Sequence, residues 1–147
     1  MKSGRPVEVY IDGASRGNPG PAGIGAVFLD AEGRPAIRLS KYLGETTNNV
    51  AEYLALVYAL HEAQARGVTR LAVRTDSELL ANQWQGRYKV RDGTLRLFHD
   101  LAVRLATRFE HVSIEHISRT RNTQADRLAA AAVTLRQDTC TASDGSS

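Results

Sequence analysis

Val7-Glu8-Val9-Tyr10-Ile11-Asp12-Gly13 alternates apolar and polar side chains up to an Asp-Gly pair. Alternation with a period of two predicts a strand over residues 7–12. The next stretch, Gly13 to Pro21, is rich in Gly, Asn and Pro and is expected to be a loop. Ala22 to Asp30 reads as a second strand, Glu32-Gly33-Arg34-Pro35 as a turn, and Ala36 to Leu43 as a third strand. Short connections make these three an antiparallel meander.

Beyond the meander the period changes. Thr46-Thr47-Asn48-Asn49 is rich in capping residues, and Ala51, Leu54, Ala55 and Tyr58 follow helical spacing until Gly67. Leu71, Val73 and Thr75 mark a fourth strand ending at Asp76. A short helix over Ser77–Trp84, a loop over Gln85–Gly93 and a helix over Thr94–Phe109 come next. Val112–Ser118 is a fifth strand, and Thr123–Leu135 an Ala-rich last helix. Strands alternating with helices give an α/β sheet with helices packed on it. Helix crossovers favour parallel placement of the fourth and fifth strands beside the first. The carboxyl ends of strands one, three, four and five then share one edge, where open α/β sheets bind ligands.

The chain has 147 residues, 42% apolar and 24% charged, which suits one ordinary globular domain. That domain is expected over residues 5–136, with 137–147 a polar tail lacking order. The one cysteine, Cys140, excludes a disulfide scaffold and a CxxC zinc site. The first residues, Met1-Lys2-Ser3-Gly4-Arg5-Pro6, contain no apolar leader, and no apolar run approaches the ~20 residues of a membrane span. A cytoplasmic protein is the expectation. The net charge of +3 is uneven: residues 1–86 balance at nine basic and nine acidic, whereas 87–127 carry nine basic and five acidic. A basic second half suits a polyanion.

Four carboxylates fall on the shared edge: Asp12 after strand one, Glu52 in the first turn of the helix after strand three, Asp76 after strand four, and Asp126 in the first turn of the last helix. Each also has an ordinary reading. Asp12-Gly13 is a turn pair, Asp76 can cap a helix, Asn49-x-x-Glu52 has capping-box spacing, and Asp126 complements a helix dipole. Converging carboxylates repel unless a cation lies among them. All-oxygen ligation selects Mg²⁺ or Mn²⁺, and two such ions suit in-line phosphoryl displacement.

The stretch from Asp12-Gly13-Ala14-Ser15-Arg16-Gly17-Asn18-Pro19-Gly20 to Gly23 resembles the opening strand and loop of type 1 ribonuclease H. Thr46-Thr47-Asn48-Asn49-Val50-Ala51-Glu52, Thr75-Asp76-Ser77 and Asn122-Thr123-Gln124-Ala125-Asp126-Arg127-Leu128-Ala129 resemble that family's later motifs, in order and spacing. The resemblance covers about residues 5–135. It implies a five-stranded mixed sheet in the order 3-2-1-4-5, with strand two antiparallel and helices on both faces. It implies metal-dependent endonucleolytic cleavage of the RNA strand of RNA/DNA hybrids, with two Mg²⁺ or Mn²⁺ ions at Asp12, Glu52, Asp76 and Asp126. Asn18, Asn48, Asn49 and Asn122 would contact the substrate and Thr47 a phosphate. The partner would be the hybrid duplex, with the protein acting as a monomer without an obligate protein partner or a membrane.

The chain also departs from the family pattern. The loop before the last acid, Ser118-Arg119-Thr120-Arg121-Asn122, holds no histidine, where many members carry one. Arg119 takes the nearest position. It stays protonated, so it can steady a phosphate or leaving group but not act as a base. His116 is expected as a packed residue of strand five. Ser77–Glu110 has no room for the basic handle helix of many members, and Lys89, Arg91 and Arg96 near Trp84 and Tyr88 are its nearest substitute. Two other classes compete with a ribonuclease H: a catalytically silent nucleic-acid-binding module, and a nuclease of broader specificity acting on double-stranded RNA or structured DNA.

Overall fold

The computed structural model describes residues 5–143. Strand β1 (Val7–Ser15) pairs antiparallel with β2 (Gly20–Leu29), and β2 with β3 (Pro35–Thr46). Helix α1 (Asn48–Ala65) leads to β4 (Arg70–Thr75), parallel to β1. Helices α2 (Glu78–Trp84) and α3 (Gly93–Ala106) precede β5 (His111–His116), parallel to β4. A 3-10 turn over Arg119–Arg121 enters α4 (Thr123–Leu135), and a sixth strand, β6 (Thr139–Ala142), closes the chain.

The sheet order is β5-β4-β1-β2-β3-β6, so the expected 3-2-1-4-5 arrangement holds with one strand added at its outer edge. That strand corrects the disordered tail expected over 137–147. Arg136 adopts a left-handed conformation (φ 50°) and turns the chain back. Asp138 Oδ1 then accepts a bond from the Tyr42 amide at 2.8 Å, and β6 pairs antiparallel with β3. Backbone hydrogen bonding to an open edge makes this strand. All four of its residues are exposed, so no apolar period announces it. Residues 144–147 lie outside the described residues.

The β1–β2 connection differs too. Strand pairing runs to Ser15 and resumes at Gly20, with the Arg16 amide donating to Pro21 O at 2.8 Å. The expected nine-residue loop is thereby reduced to Arg16–Pro19. Within the strands, glycine lets sheet and helices meet closely: a Cβ on Gly25 would lie 2.2 Å from Ala125 O of α4. A Cβ on Gly13 would lie 2.2 Å from the Ala51 carbonyl carbon of α1. Gly13 pairs with Ile24, the neighbour of Gly25 in β2, and neighbours in a strand point to opposite faces. Helices α1 and α4 therefore cover opposite faces of the sheet. Val9, Ile11, Ile24, Leu56, Leu60 and Val73 fill the α1 side with little or no exposure.

This packing predicts unequal effects of added methyl groups. Gly25→Ala should cost about 3 kcal/mol by overpacking. Gly44→Ala, where φ is +77° but the space is open, should cost roughly 1 kcal/mol from backbone strain alone. Urea melts would show the ranking, and equal losses would contradict the direct helix-on-strand contact.

Candidate active site

Local chemistry places each acid. Thr47 caps α1, its Oγ1 accepting from the Val50 amide at 3.2 Å. The capping-box reading of Glu52 is thereby excluded, because the cap lies two residues before Asn49. Glu52 instead reaches β1, where its Oε1 accepts from the Gly13 amide at 2.9 Å. Ser77 caps α2 through the Leu80 amide at 3.1 Å, so Asp76 is not the cap. Asp12 lies inside β1, paired with Gly25, and not in a turn. Three of the four ordinary readings thus fail. The fourth holds in part, since Asp126 stands exposed in the first turn of α4.

Asp12, Glu52 and Asp76 each present an oxygen, all three within 4.8 Å of one another. Asp12 and Glu52 are only 5% and 6% exposed. Burial, then the charge of Asp76, a hydrogen bond that protonated Asp12 donates to Asp126 and the charge of Asp126, push Asp12 from 3.8 up to about 8, while Arg119 pulls it back. Burial, with the charges of Asp12 and Asp76, raises Glu52 well above the carboxylate range against the Gly13 amide and Arg119. Arg119 therefore stands close enough to act on two members of the cluster. Asp76 Oδ2 is buried with no hydrogen-bond partner. Crowded carboxylates, an unpartnered buried oxygen and an all-oxygen donor set fit a hard divalent cation.

The other expected residues divide. Asn48 and Asn49 are exposed at the start of α1. Asn18 is exposed in the neighbouring hairpin loop, its Oδ1 accepting from the Asn48 amide at 3.0 Å. Thr47 is engaged as the cap, although its hydroxyl keeps a proton to donate. Asn122 is a correction. At 1% exposure it cannot reach a duplex from this position, and its Nδ2 donates to Ile11 O at 2.8 Å. It ties the start of α4 to the residue before Asp12. His116 is also corrected: it is the exposed last residue of β5, paired with Thr75, because the strand ends before Ser118. The Gly13 amide was not foreseen, since an Asp-Gly pair reads as a turn. Trp84 is partly buried against the core, as expected of a helix residue. Two helices, α2 and α3, separate β4 from β5, which leaves no handle helix.

A mixed sheet in this order, with acids gathered inside β1, just after β4, near the start of α1 and in the first turn of α4, defines a ribonuclease H-like α/β protein. The reverse transcriptase-like family model matches residues 10–132. The crystal structure of RNase H1 from Halobacterium salinarum superposes with a TM-score of 0.85 at 40% identity, covering 88% of this chain and 98% of that one. LC11-RNase H1 in complex with an RNA/DNA hybrid superposes at 0.84 and 41% identity, covering 88% of this chain and 98% of that one. A bifunctional protein of Mycobacterium tuberculosis is 45% identical over 124 residues, 84% of this chain and 34% of that protein. This chain thus spans about a third of the length of the mycobacterial relatives it matches. The chain belongs to the type 1 ribonuclease H family.

Repulsion within the cluster predicts how the metal-free protein responds to pH. The folded state holds the Asp12 proton up to about pH 8, whereas an unfolded aspartate releases it near 3.8. Stability from this group is full below pH 3.8 and falls as pH rises to 8. Asp12→Asn should flatten that decline and raise the urea midpoint at pH 8 in a chelator. A wild-type midpoint that does not fall relative to that of Asp12→Asn across this window would contradict the clustering.

Proposed function

We propose that this chain is a metal-dependent endonuclease that hydrolyses the RNA strand of RNA/DNA hybrids. The observation that carries the reading is the set of three carboxylates with oxygens within 4.8 Å at one sheet edge, two of them buried. Asp12, Glu52 and Asp76 would hold the metal, with Asp126 completing the set from the more exposed side. A pair of Mg²⁺ or Mn²⁺ ions bound there supplies an activated water and stabilises the leaving oxygen.

The chain's own residues supply orientation. The Gly13 amide holds Glu52 so that its other oxygen stays free. Asn18, locked to α1 through the Asn48 amide, stands with Asn48 and Asn49 at the same corner. Amides both donate and accept, so they can bond a 2′-OH and a base edge in the wide minor groove of a hybrid. The Arg119 guanidinium stabilises negative charge developing on the phosphate. The hybrid named with LC11-RNase H1 supports the same substrate class. The cytoplasm is the proposed site of action. Among the described residues no helix is long and apolar enough to cross a membrane.

The test is cleavage of matched RNA/DNA hybrid, RNA duplex and DNA duplex with Mg²⁺, Mn²⁺ or chelator. Only the hybrid should be cut efficiently, and only with metal; cleavage in chelator, or of DNA duplex at the same rate, would overturn the reading. Asp12→Asn, Glu52→Gln and Asp76→Asn should each lower kcat by at least about a thousandfold, a magnitude typical of losing a central electrostatic group. Asp126→Asn should retain more activity. Arg119→Ala should lower kcat with little change in KM, and a rise in KM alone would make Arg119 a backbone clamp.

A further inference from the structure

The basic loop between α2 and α3 lies next to a buried polar pair that the chemistry above does not use. Tyr53 follows Glu52 in α1 and is 1% exposed. Its hydroxyl donates to Gln83 Oε1 at 2.6 Å. Gln83, 6% exposed in α2, donates from Nε2 to the Lys89 carbonyl at 3.1 Å. The Lys89 carbonyl can only accept, so the amide nitrogen must face it and the amide oxygen must face the tyrosine. The tyrosine ring is fixed in turn, edge-on to His99 at 6.2 Å between ring centres.

This chain of bonds joins the helix that carries Glu52 to the loop that carries exposed Arg87, Lys89 and Arg91. None of those three cations forms a salt bridge among the described residues. The start of the loop is held by the Arg87 and Tyr88 amides, both donating to Asn82 O. Its far half is held by Gln83 at the Lys89 carbonyl and by Val90, which packs on the core. Burying a glutamine is costly unless both ends of its amide are bonded, and here both are. A leucine or methionine would fill the space without that demand. The feature that needs an amide is the connection to the loop.

We propose that Gln83, set by Tyr53, is a positioning residue that holds the Lys89–Arg91 cations at a fixed distance from the carboxylate cluster, so that they grip the phosphates of a bound duplex. The proposal rests on the nuclease reading above. It assigns Gln83 an effect on substrate affinity and none on the chemical step.

The test uses Gln83→Met and Tyr53→Phe in the full chain, with wild type and the Lys89→Ala/Arg91→Ala double variant as references. Gln83→Met should raise the KM for hybrid about fivefold, the factor one neutral hydrogen bond is worth, with kcat unchanged. Tyr53→Phe should act in the same direction and more weakly. In the double variant the Lys89 carbonyl remains but the cations are gone, so adding Gln83→Met should cost almost nothing further in KM. In the free protein, amide hydrogen exchange over residues 86–91 should speed up in Gln83→Met while α1 amides keep their protection. A fivefold rise that persists in the double variant, or a fall in kcat with KM unchanged, would overturn the proposal. So would unchanged exchange over 86–91. Should Gln83→Met fail to fold, Tyr53→Phe alone carries the same comparison. Wild-type protein that neither binds nor cuts hybrid would instead overturn the nuclease reading, and the exchange result would still report on the tether.

Discussion

The missing side chain at Gly13 lets the Ala51–Glu52 peptide of α1 rest directly against β1, closer than any Cβ would permit. From that contact the Glu52 carboxylate falls beside the Gly13 amide, next in sequence to Asp12. Strand β4, parallel to β1 with Ile11 opposite Thr75, delivers Asp76 to the same corner. On the other face Gly25 admits α4 as closely and Gly23 nearly so, and Asn122 pins the first turn of α4 to Ile11 O. Helices from both faces therefore converge on Ile11–Gly13 of one strand. The glycine pattern of β1 and β2 is in this sense the frame of the site.

The same closeness creates the electrostatic problem that defines the chemistry. Two carboxylates with about 5% exposure and a third with a buried, unpartnered oxygen are unfavourable neighbours in water-poor surroundings. The Gly13 amide and the nearby Arg119 relieve only part of this. Stability has been given up where a cation would recover it, which is the usual trade at a functional site. The asparagines at the start of α1 and in the β1–β2 loop are exposed and neutral. In the proposed function, recognition by hydrogen bonding falls to these asparagines and attachment by charge to Arg87, Lys89 and Arg91, in the loop that follows α2.

Much of this was legible in the sequence. Alternation through Val7–Ile11 and helical spacing from Ala51 to Tyr58 gave the element order, and the crossover rule brought the four acids to one edge. What stayed hidden depends on contacts between distant residues. Strand β6 forms because β3 offers an open edge, and its exposed residues carry no period. Glu52 resembled a capping residue because spacing cannot show that Thr47 holds the cap. Asn122 shares the polarity of Asn48 and Asn49, and only burial separates a strut from a substrate contact. His116 looked like a packed strand residue until the end of β5 was placed. Gln83 and Tyr53 gave no signal, since nothing local marks two side chains thirty residues apart as partners.

If the carboxylates form a cation site before any substrate arrives, metal alone must stabilise the protein. The direct measurement is the urea midpoint of the free wild-type chain at pH 8 as Mg²⁺ or Mn²⁺ is raised, beside Asp12→Asn. Above the dissociation constant, each tenfold rise in metal should add about 1.4 kcal/mol per ion bound to the folded state. The wild type should climb accordingly while Asp12→Asn, already relieved of one charge, changes little. A wild-type midpoint indifferent to metal, or an equal rise in both proteins, would contradict a metal-binding carboxylate cluster.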